Sequence, residues 1–342
     1  LSASSTVTLS GGTANGVAYL NGSKVLTTGS ALTFNGTTLA TSYDATIHGI
    51  TVGLGGGSVS TNTAVGASAL LGNTSGNAQT VVGYNAMYTN TTGAENTAIG
   101  YNTLYYNTYG NYNTAIGRSA LQANTTASNN TAVGYQASYY TTTAGRNTTV
   151  GQYAGFGNAT GTENTFIGYQ SGPNGVTNAS GNYNTSLGAF SLQANTTASN
   201  NTAVGYQAGY SGSTTGSNAY LGYQAGYSNT GGNITVVGYK AGYAHSTGST
   251  LTAIGYLAAQ ANTTGTDNTV NGHLALYTNT TGGYNTAIGS NALYSNTTAS
   301  NNTAVGYQAG YSNTTGSSVL YAGFQAGYGS TGDHNVALGY QS

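Results

Sequence analysis

The chain has 342 residues with 3% charged side chains, 55 Gly, 31 Tyr, one Pro, no Cys and a formal net charge of −1, whereas soluble domains carry about 25% charged residues. Four basic residues cannot build the basic stripe that displaces counterions from nucleic acid. The missing cysteines exclude disulfides, thiol catalysis and Cys-ligated metals, and no apolar run approaches the about 18 residues of a membrane-spanning helix. The first residue is Leu1, with neither Met nor a signal peptide before it, which suits a processed piece of a longer chain.

Residues 1–48 lack a period and read as a short irregular β leader. Val17–Leu20, Val25–Leu26 and Ala31–Phe34 are predicted strands, with Asn21-Gly22 and Asn35-Gly36 as turn signals. Residues 49–57 form the transition, where Ile50 and Val52 are expected to begin a core.

From there to residue 342 one unit repeats. Asn-Thr-Ala-(Val/Ile)-Gly recurs with closing glycines from Gly66 to Gly339, and thirteen of the sixteen intervals are 17 residues. Two are 16 and one is 20; the long one contains Pro173 and reads as a loop bulging from one coil. Residues 121–137 and 192–208 are the same string, LQANTTASNNTAVGYQA, the mark of repeat duplication. Alternation over four to six residues means strand, and Gly, Asn and Thr are poor helix formers. The period therefore predicts an all-β chain: a parallel β-solenoid of about 17 coils, each coil made of two or three short strands. Coils stacked at about 4.8 Å would make a rod of roughly 80 Å.

Stacking turns each repeat position into a column. One residue before the anchor glycine stand Val65, Val82, Ile99, Ile116, Val133, Val150, Ile167, Leu187, Val204, Leu221, Val237, Ile254, Ile288, Val305 and Leu338, expected to be a β-branched core ladder. Three before it runs a Thr column from Thr63 to Thr303; four before it is Asn, as at Asn96, Asn113, Asn130, Asn147 and Asn164. Asn in register is expected to hydrogen-bond from coil to coil. The anchors are expected to supply a positive φ where a Cβ would clash. Two tyrosine columns follow: Tyr84, Tyr101, Tyr135, Tyr169, Tyr206, Tyr223, Tyr239, Tyr256, Tyr307 and Tyr340 one residue after the anchor, and Tyr88, Tyr105, Tyr139, Tyr210, Tyr227, Tyr243, Tyr277, Tyr294, Tyr311 and Tyr328 five after it. Either a ladder stapling the coils or an interchain contact suits them, as does a glycan-binding stripe.

The Asn-Thr-Ala-Ile-Gly core resembles the Asn-Ser-Val-Ala-Ile-Gly head repeat of trimeric autotransporter adhesins. That resemblance implies a parallel β-roll of three associated chains, with Thr63 and Val65 inward and Ala64 outward. The 17-residue unit is longer than that family's, and richer in Tyr. The leader Gly-Val-Ala-Tyr-Leu-Asn-Gly-Ser-Lys-Val-Leu and the repeat NTAVGYQAGYSNTTG are also similar to the repetitive tail-fibre proteins of bacteriophages, which implies a trimeric shaft.

Chemistry is hard to place. Glu95, Glu163 and Asp267 share one column, five before an anchor, but Glu95 and Glu163 are four coils apart, roughly 19 Å; a glycosidase pair needs about 5 to 9.5 Å. Arg146, one coil from Glu163 in that column, predicts a surface ion pair. His48, His245, His273 and His334 lie in different columns and distant coils, without metal-ligand spacing, and read as exposed or ladder-substituting residues. The glycines of 53–57 lack the Lys-Ser/Thr of a phosphate loop. Asn-x-Ser/Thr triplets, as at Asn73, Asn90 and Asn124, are expected from composition alone.

The reading is a non-catalytic structural fibre segment without cofactor or metal: a phage tail-fibre shaft or an extracellular or surface filament. It would self-associate as a homotrimer or end to end, sit at a virion or cell surface, and neither bind nucleic acid nor insert into a membrane. The alternative is an adhesin holding surface glycans on the tyrosine columns. A third reading is ice binding through the turn column Thr91, Thr125, Thr196, Thr263, Thr280, Thr297 and Thr314, against which stands that turns are seldom flat.

Overall fold

A computed structural model describes residues 16–20, 26–34, 39–41, 45–47 and 50–342 except Ser213. The turn pairs Asn21-Gly22 and Asn35-Gly36 lie outside the described residues, as does His48. Strands β1 (Gly16–Leu20), β2 (Leu26–Phe34) and β3 (Leu39–Thr41) form a small antiparallel sheet. β4 (Ala45–Ile47) and β5 (Ile50–Gly53) pair antiparallel with each other, and β5 pairs antiparallel with β6 (Thr63–Val65). The solenoid sheet thus starts inside the leader segment, at residue 45. From β6 to β22 (Val336–Leu338) seventeen strands pair in parallel, each in register with the next. Thr97, Ala98 and Ile99 face Thr114, Ala115 and Ile116, for example.

The fold is the expected all-β parallel solenoid with a 17-residue period, but each coil holds one strand, not two or three. The rest of the coil is a succession of turns. Its backbone takes positive φ at the anchor glycine, at the residues two and four after it, and at the residue five before the next anchor: Gly66 (132°), Ser68 (58°), Leu70 (54°) and Ala78 (53°) in the first coil. This alternation sends successive N–H groups to opposite neighbours. Asn85 donates back to the Ala67 carbonyl at 3.1 Å, and Met87 donates forward to that of Thr103 at 2.9 Å. Left-handed residues cost about 1–2 kcal/mol each when not Gly; the coil-to-coil bonds satisfy the backbone that would otherwise be orphaned.

The three-residue strand points its middle residue inward. Ala98, Ala115, Ala132, Ala203, Ala287 and Ala304 are fully buried, as are Val81, Phe166, Tyr220, Val236 and Tyr321 in the same column. The expected β-branched core ladder is therefore wrong. Val82, Ile99, Ile116, Val150, Leu187, Leu221, Ile254, Ile288, Val305 and Leu338 are exposed, and Val65, Val133, Ile167, Val204 and Val237 only half-buried. Ile50 and Val52 are exposed too, since β5 pairs in the same sheet with Val52 opposite Val65. The inward and outward places of Thr63, Ala64 and Val65 are the reverse of those the adhesin repeat implies.

The reason is volume. The interior also receives the residue four after the anchor: Leu70, Met87, Leu104, Leu121, Leu192, Leu276 and Leu293, all buried. A strand valine or isoleucine beside these in every coil would overpack so narrow a section. The two columns compensate each other. Where the strand places a large side chain inside, the flanking residues four after the anchor are glycines. Phe166 lies between Gly155 and Gly172, Tyr220 between Gly209 and Gly226, and Tyr321 between Gly310 and Gly327. A Cβ on Gly209 would stand 2.7 Å from the Tyr220 ring, and one on Gly310 2.6 Å from that of Tyr321. Two apolar clusters result, Ala64–Ala137 and Leu192–Ala326. Between them buried hydroxyls take over: Ser138 bonds Thr149 at 2.9 Å, and Ser186 bonds both Ser171 and Ser191. The 20-residue coil keeps β12 (Thr165–Ile167) in register with β13 (Thr185–Leu187), its extra residues lying between Pro173 and Ala179.

Candidate functional site

Among the described residues no three His, Asp or Glu side chains converge. The organised feature is a set of ladders running along the rod. The first is the expected asparagine column. Asn113 Nδ2 donates to Asn96 Oδ1 (3.1 Å) and to the Ala127 carbonyl (2.9 Å), while Asn96 Oδ1 also accepts the Asn113 backbone N–H (2.9 Å). Asn130, Asn147 and Asn164 continue the pattern, all buried. Ile234, Leu251 and Val319 replace Asn in three coils, where they add to the apolar core.

A second asparagine ladder runs through the segments that the sequence presents only as turns. The Asn of each Asn-Thr-Thr segment is buried. Asn90 Nδ2 donates to Asn73 Oδ1 (2.8 Å), Asn107 to Asn90 (2.8 Å) and Asn124 to Asn107 (2.7 Å). Each also donates to the carbonyl three residues on. Asn73, Asn90 and Asn124, which open Asn-x-Ser/Thr triplets, are buried members of this ladder. His245 stands in this ladder, fully buried. Its Nε2 donates to the Gly248 carbonyl (2.8 Å) and its Nδ1 accepts from Asn262 Nδ2 (3.0 Å), which fixes the neutral tautomer. Burial holds its pKa below the usual histidine value, against the opposing pull of the Gly248 carbonyl.

The turn threonines are also bound. Thr91, Thr108, Thr263, Thr280 and Thr297 each donate Oγ1 to the carbonyl of the corresponding threonine in the next coil, at 2.9–3.1 Å. Thr125 does the same to Thr142 at 3.2 Å. These hydroxyls have spent their only proton, so the turn column is no free array for ice.

Both tyrosine columns stack. Tyr206, Tyr223, Tyr239 and Tyr256 sit 5.2–5.3 Å apart with interplanar angles of 9–16°. Tyr294, Tyr311 and Tyr328 sit 5.0–5.1 Å apart at 6–7°. Gaps in the first column are filled. Arg118 lies between Tyr101 and Tyr135, 5.4 and 5.7 Å from their centroids, and His273 stacks on Tyr256 at 5.3 Å. Where Gln152 and Ala189 stand after the anchor, Tyr153 and Phe190 reach in from the next position to meet Tyr135, Tyr169 and Tyr206 edge-on. Burial, then the charge of neighbouring phenolates, raises the Tyr227 and Tyr311 pKa values. The first column is exposed at Tyr84, Tyr101, Tyr169, Tyr206, Tyr223, Tyr239, Tyr256 and Tyr307 and half-exposed at Tyr135. Its rings cover each other's faces, so the stack shows solvent mainly ring edges and hydroxyls.

The charged groups are where the repeat places them. Arg146 Nη1 meets Glu163 Oε1 at 3.2 Å on the surface, a contact worth about 0–1 kcal/mol. A cleft of about 220 Å³ beside the long coil is lined by Asn174, Gly175, Gln193, Ala194 and Tyr210, and brings no titratable pair together. No helix among the described residues is long and apolar enough to cross a membrane. Comparison with protein-family models, with curated proteins and with solved structures gives no match.

Proposed function

We propose that the chain is a non-catalytic structural segment of a fibre, the shaft of a phage tail fibre or of an extracellular or surface filament. The observation that carries this reading is the direction of the bonding. The parallel sheet, two asparagine ladders, the threonine hydroxyl-to-carbonyl bonds and two tyrosine stacks all tie each coil to the next along one axis. Such a rod resists extension and bending, because no coil separates without breaking several independent rows at once. Almost none of that bonding uses charge, so salt does not screen it.

On this reading the chain self-associates, as a homotrimer or end to end, at a virion or cell surface. The tyrosine stack argues less for a glycan stripe, because a sugar packs on a ring face and these faces are occupied. Light scattering after size exclusion, with negative-stain electron microscopy, tests the proposal. It expects a uniform rod of several chain masses, or rods growing end to end. A compact monomer at all concentrations would overturn it.

A further inference from the structure

The sheet from β6 to β22 has an outer face that no ladder uses. Its first column is threonine in fourteen of seventeen strands: nine successive coils from Thr63 to Thr202 and five from Thr235 to Thr303. Its second column is the Val, Ile and Leu series, exposed or half-buried and interrupted by Asn271 and Ala322. No strand of this face carries a charged residue.

The two threonine columns of the molecule behave oppositely. Turn threonines spend their hydroxyls on carbonyls, as described. The strand threonines from Thr63 to Thr303 donate to no protein atom among the described residues, although in-register pairing holds them in a rigid row. Their hydroxyls repeat at about 4.8 Å along the rod, and the aliphatic column lies about 6.6 Å across from them. Water on such a face meets a fixed two-dimensional lattice of hydroxyls and branched methyl groups.

We propose that this face binds the surface of ice crystals. Its hydroxyl row repeats along the rod at a distance of the same order as the shorter oxygen repeat on a prism face of hexagonal ice. The threonine hydroxyls would bond lattice water, and the Val and Ile methyls would seat in the gaps between. A charged side chain would impose its own hydration shell on that lattice, and none is present. The fourteen steps of about 4.8 Å from Thr63 to Thr303, across a strip about 10 Å wide, offer roughly 670 Å², somewhat below the about 800 Å² that each partner brings to a specific interface. This proposal is independent of the fibre reading.

The test is thermal hysteresis and ice-recrystallisation inhibition by the full chain. Wild type is expected to shape and arrest ice crystals in proportion to its concentration. Thr114→Lys with Thr148→Lys, placed in the middle of the nine-coil run, should fall to the buffer level. Tyr109→Lys with Tyr284→Lys, both exposed off this face, should keep the wild-type effect. Circular dichroism confirms that each variant is folded. Inactive wild type, or equal activity in the two lysine variants, overturns the proposal. An inactive wild-type oligomer that the Thr114→Lys, Thr148→Lys variant reduces to monomers also overturns it, and gives the face to a second copy.

Discussion

At the scale of the residue, His245 sits where asparagine holds most other coils, and it can serve only while neutral. Protonation would turn Nδ1 from the acceptor of Asn262 into a second donor facing it. Its folded pKa lies below the ordinary 6.5, so its contribution is complete above about pH 6.5. Below that the unfolded chain takes up a proton that the folded chain refuses. Stability then falls, by at most about 1.4 kcal/mol per pH unit, until the folded pKa is reached. Urea midpoints at pH 7.5 and 5.0 are expected to show this loss, and His245→Asn to reduce it by restoring the ladder. The anchor glycines are equally constrained. At Gly151 φ is 134°, and a Cβ would stand 2.6 Å from the Gly168 carbonyl oxygen. Gly151→Ala combines backbone strain of about 1–3 kcal/mol with a clash against backbone that cannot yield, and should lower the melting temperature by several degrees. An unchanged melting curve would show that the coil spacing can give at this point.

At the scale of the element, the ladders work only when continuous. Thr141 interrupts the second asparagine ladder, and the Asn124 Oδ1 that would accept an amide from that position is buried without a partner. Thr141→Asn places an Nδ2 donor at the level of that acceptor. It is expected to stabilise by about 1 kcal/mol, read as a higher urea midpoint at unchanged slope; a lower midpoint would mean the threonine bond to the Asn158 carbonyl is the better use of the site. The core obeys a similar pairing. Tyr220 fills the space left by Gly209 and Gly226, and Asn229 Nδ2 donates to its hydroxyl at 2.7 Å. Burial pushes that phenol up to about 12. Tyr220→Ala should cost about 3–5 kcal/mol. Adding Gly209→Leu and Gly226→Leu recreates the arrangement of Leu104, Ala115 and Leu121, whose leucines already hold φ of 49° and 50°. The triple variant should recover much of the loss, while the two leucines without Tyr220→Ala should be destabilising. Additive effects in that cycle would refute the exchange of volume between columns.

At the scale of the whole molecule, a stack of like coils should tolerate the loss of one. Removing residues 118–134 joins Gly117 to Tyr135, keeps every column in phase and brings Tyr101 next to Tyr135. The product should keep its circular dichroism spectrum and shorten by about 4.8 Å. Removing only residues 118–125 leaves one coil too short to close and puts its columns out of phase with both neighbours, and should lower the urea midpoint far below that of the 17-residue deletion. Similar behaviour of the two deletions would mean that register along the rod does not hold the structure together.

The period, the anchor glycines with their positive φ, the first asparagine ladder, both tyrosine columns and the Arg146–Glu163 pair were legible in the chain itself. Each is a repeated or complementary residue at constant spacing, and stacking converts spacing into contact. The direction each strand faces was not legible from Thr-Ala-Val alone. Three residues alternate equally well either way, and hydrophobicity favoured the wrong one. One signal was present: Phe166, Tyr220 and Tyr321 occur in the strand centre only where glycines flank them four after an anchor. The burial of the Asn-Thr-Thr asparagine was likewise hidden, because a turn sequence looks the same whether its amide meets water or another coil. Only the tertiary structure decided these points, since the cross-section of a closed coil determines how much side chain fits inside and which polar groups must then bond one another.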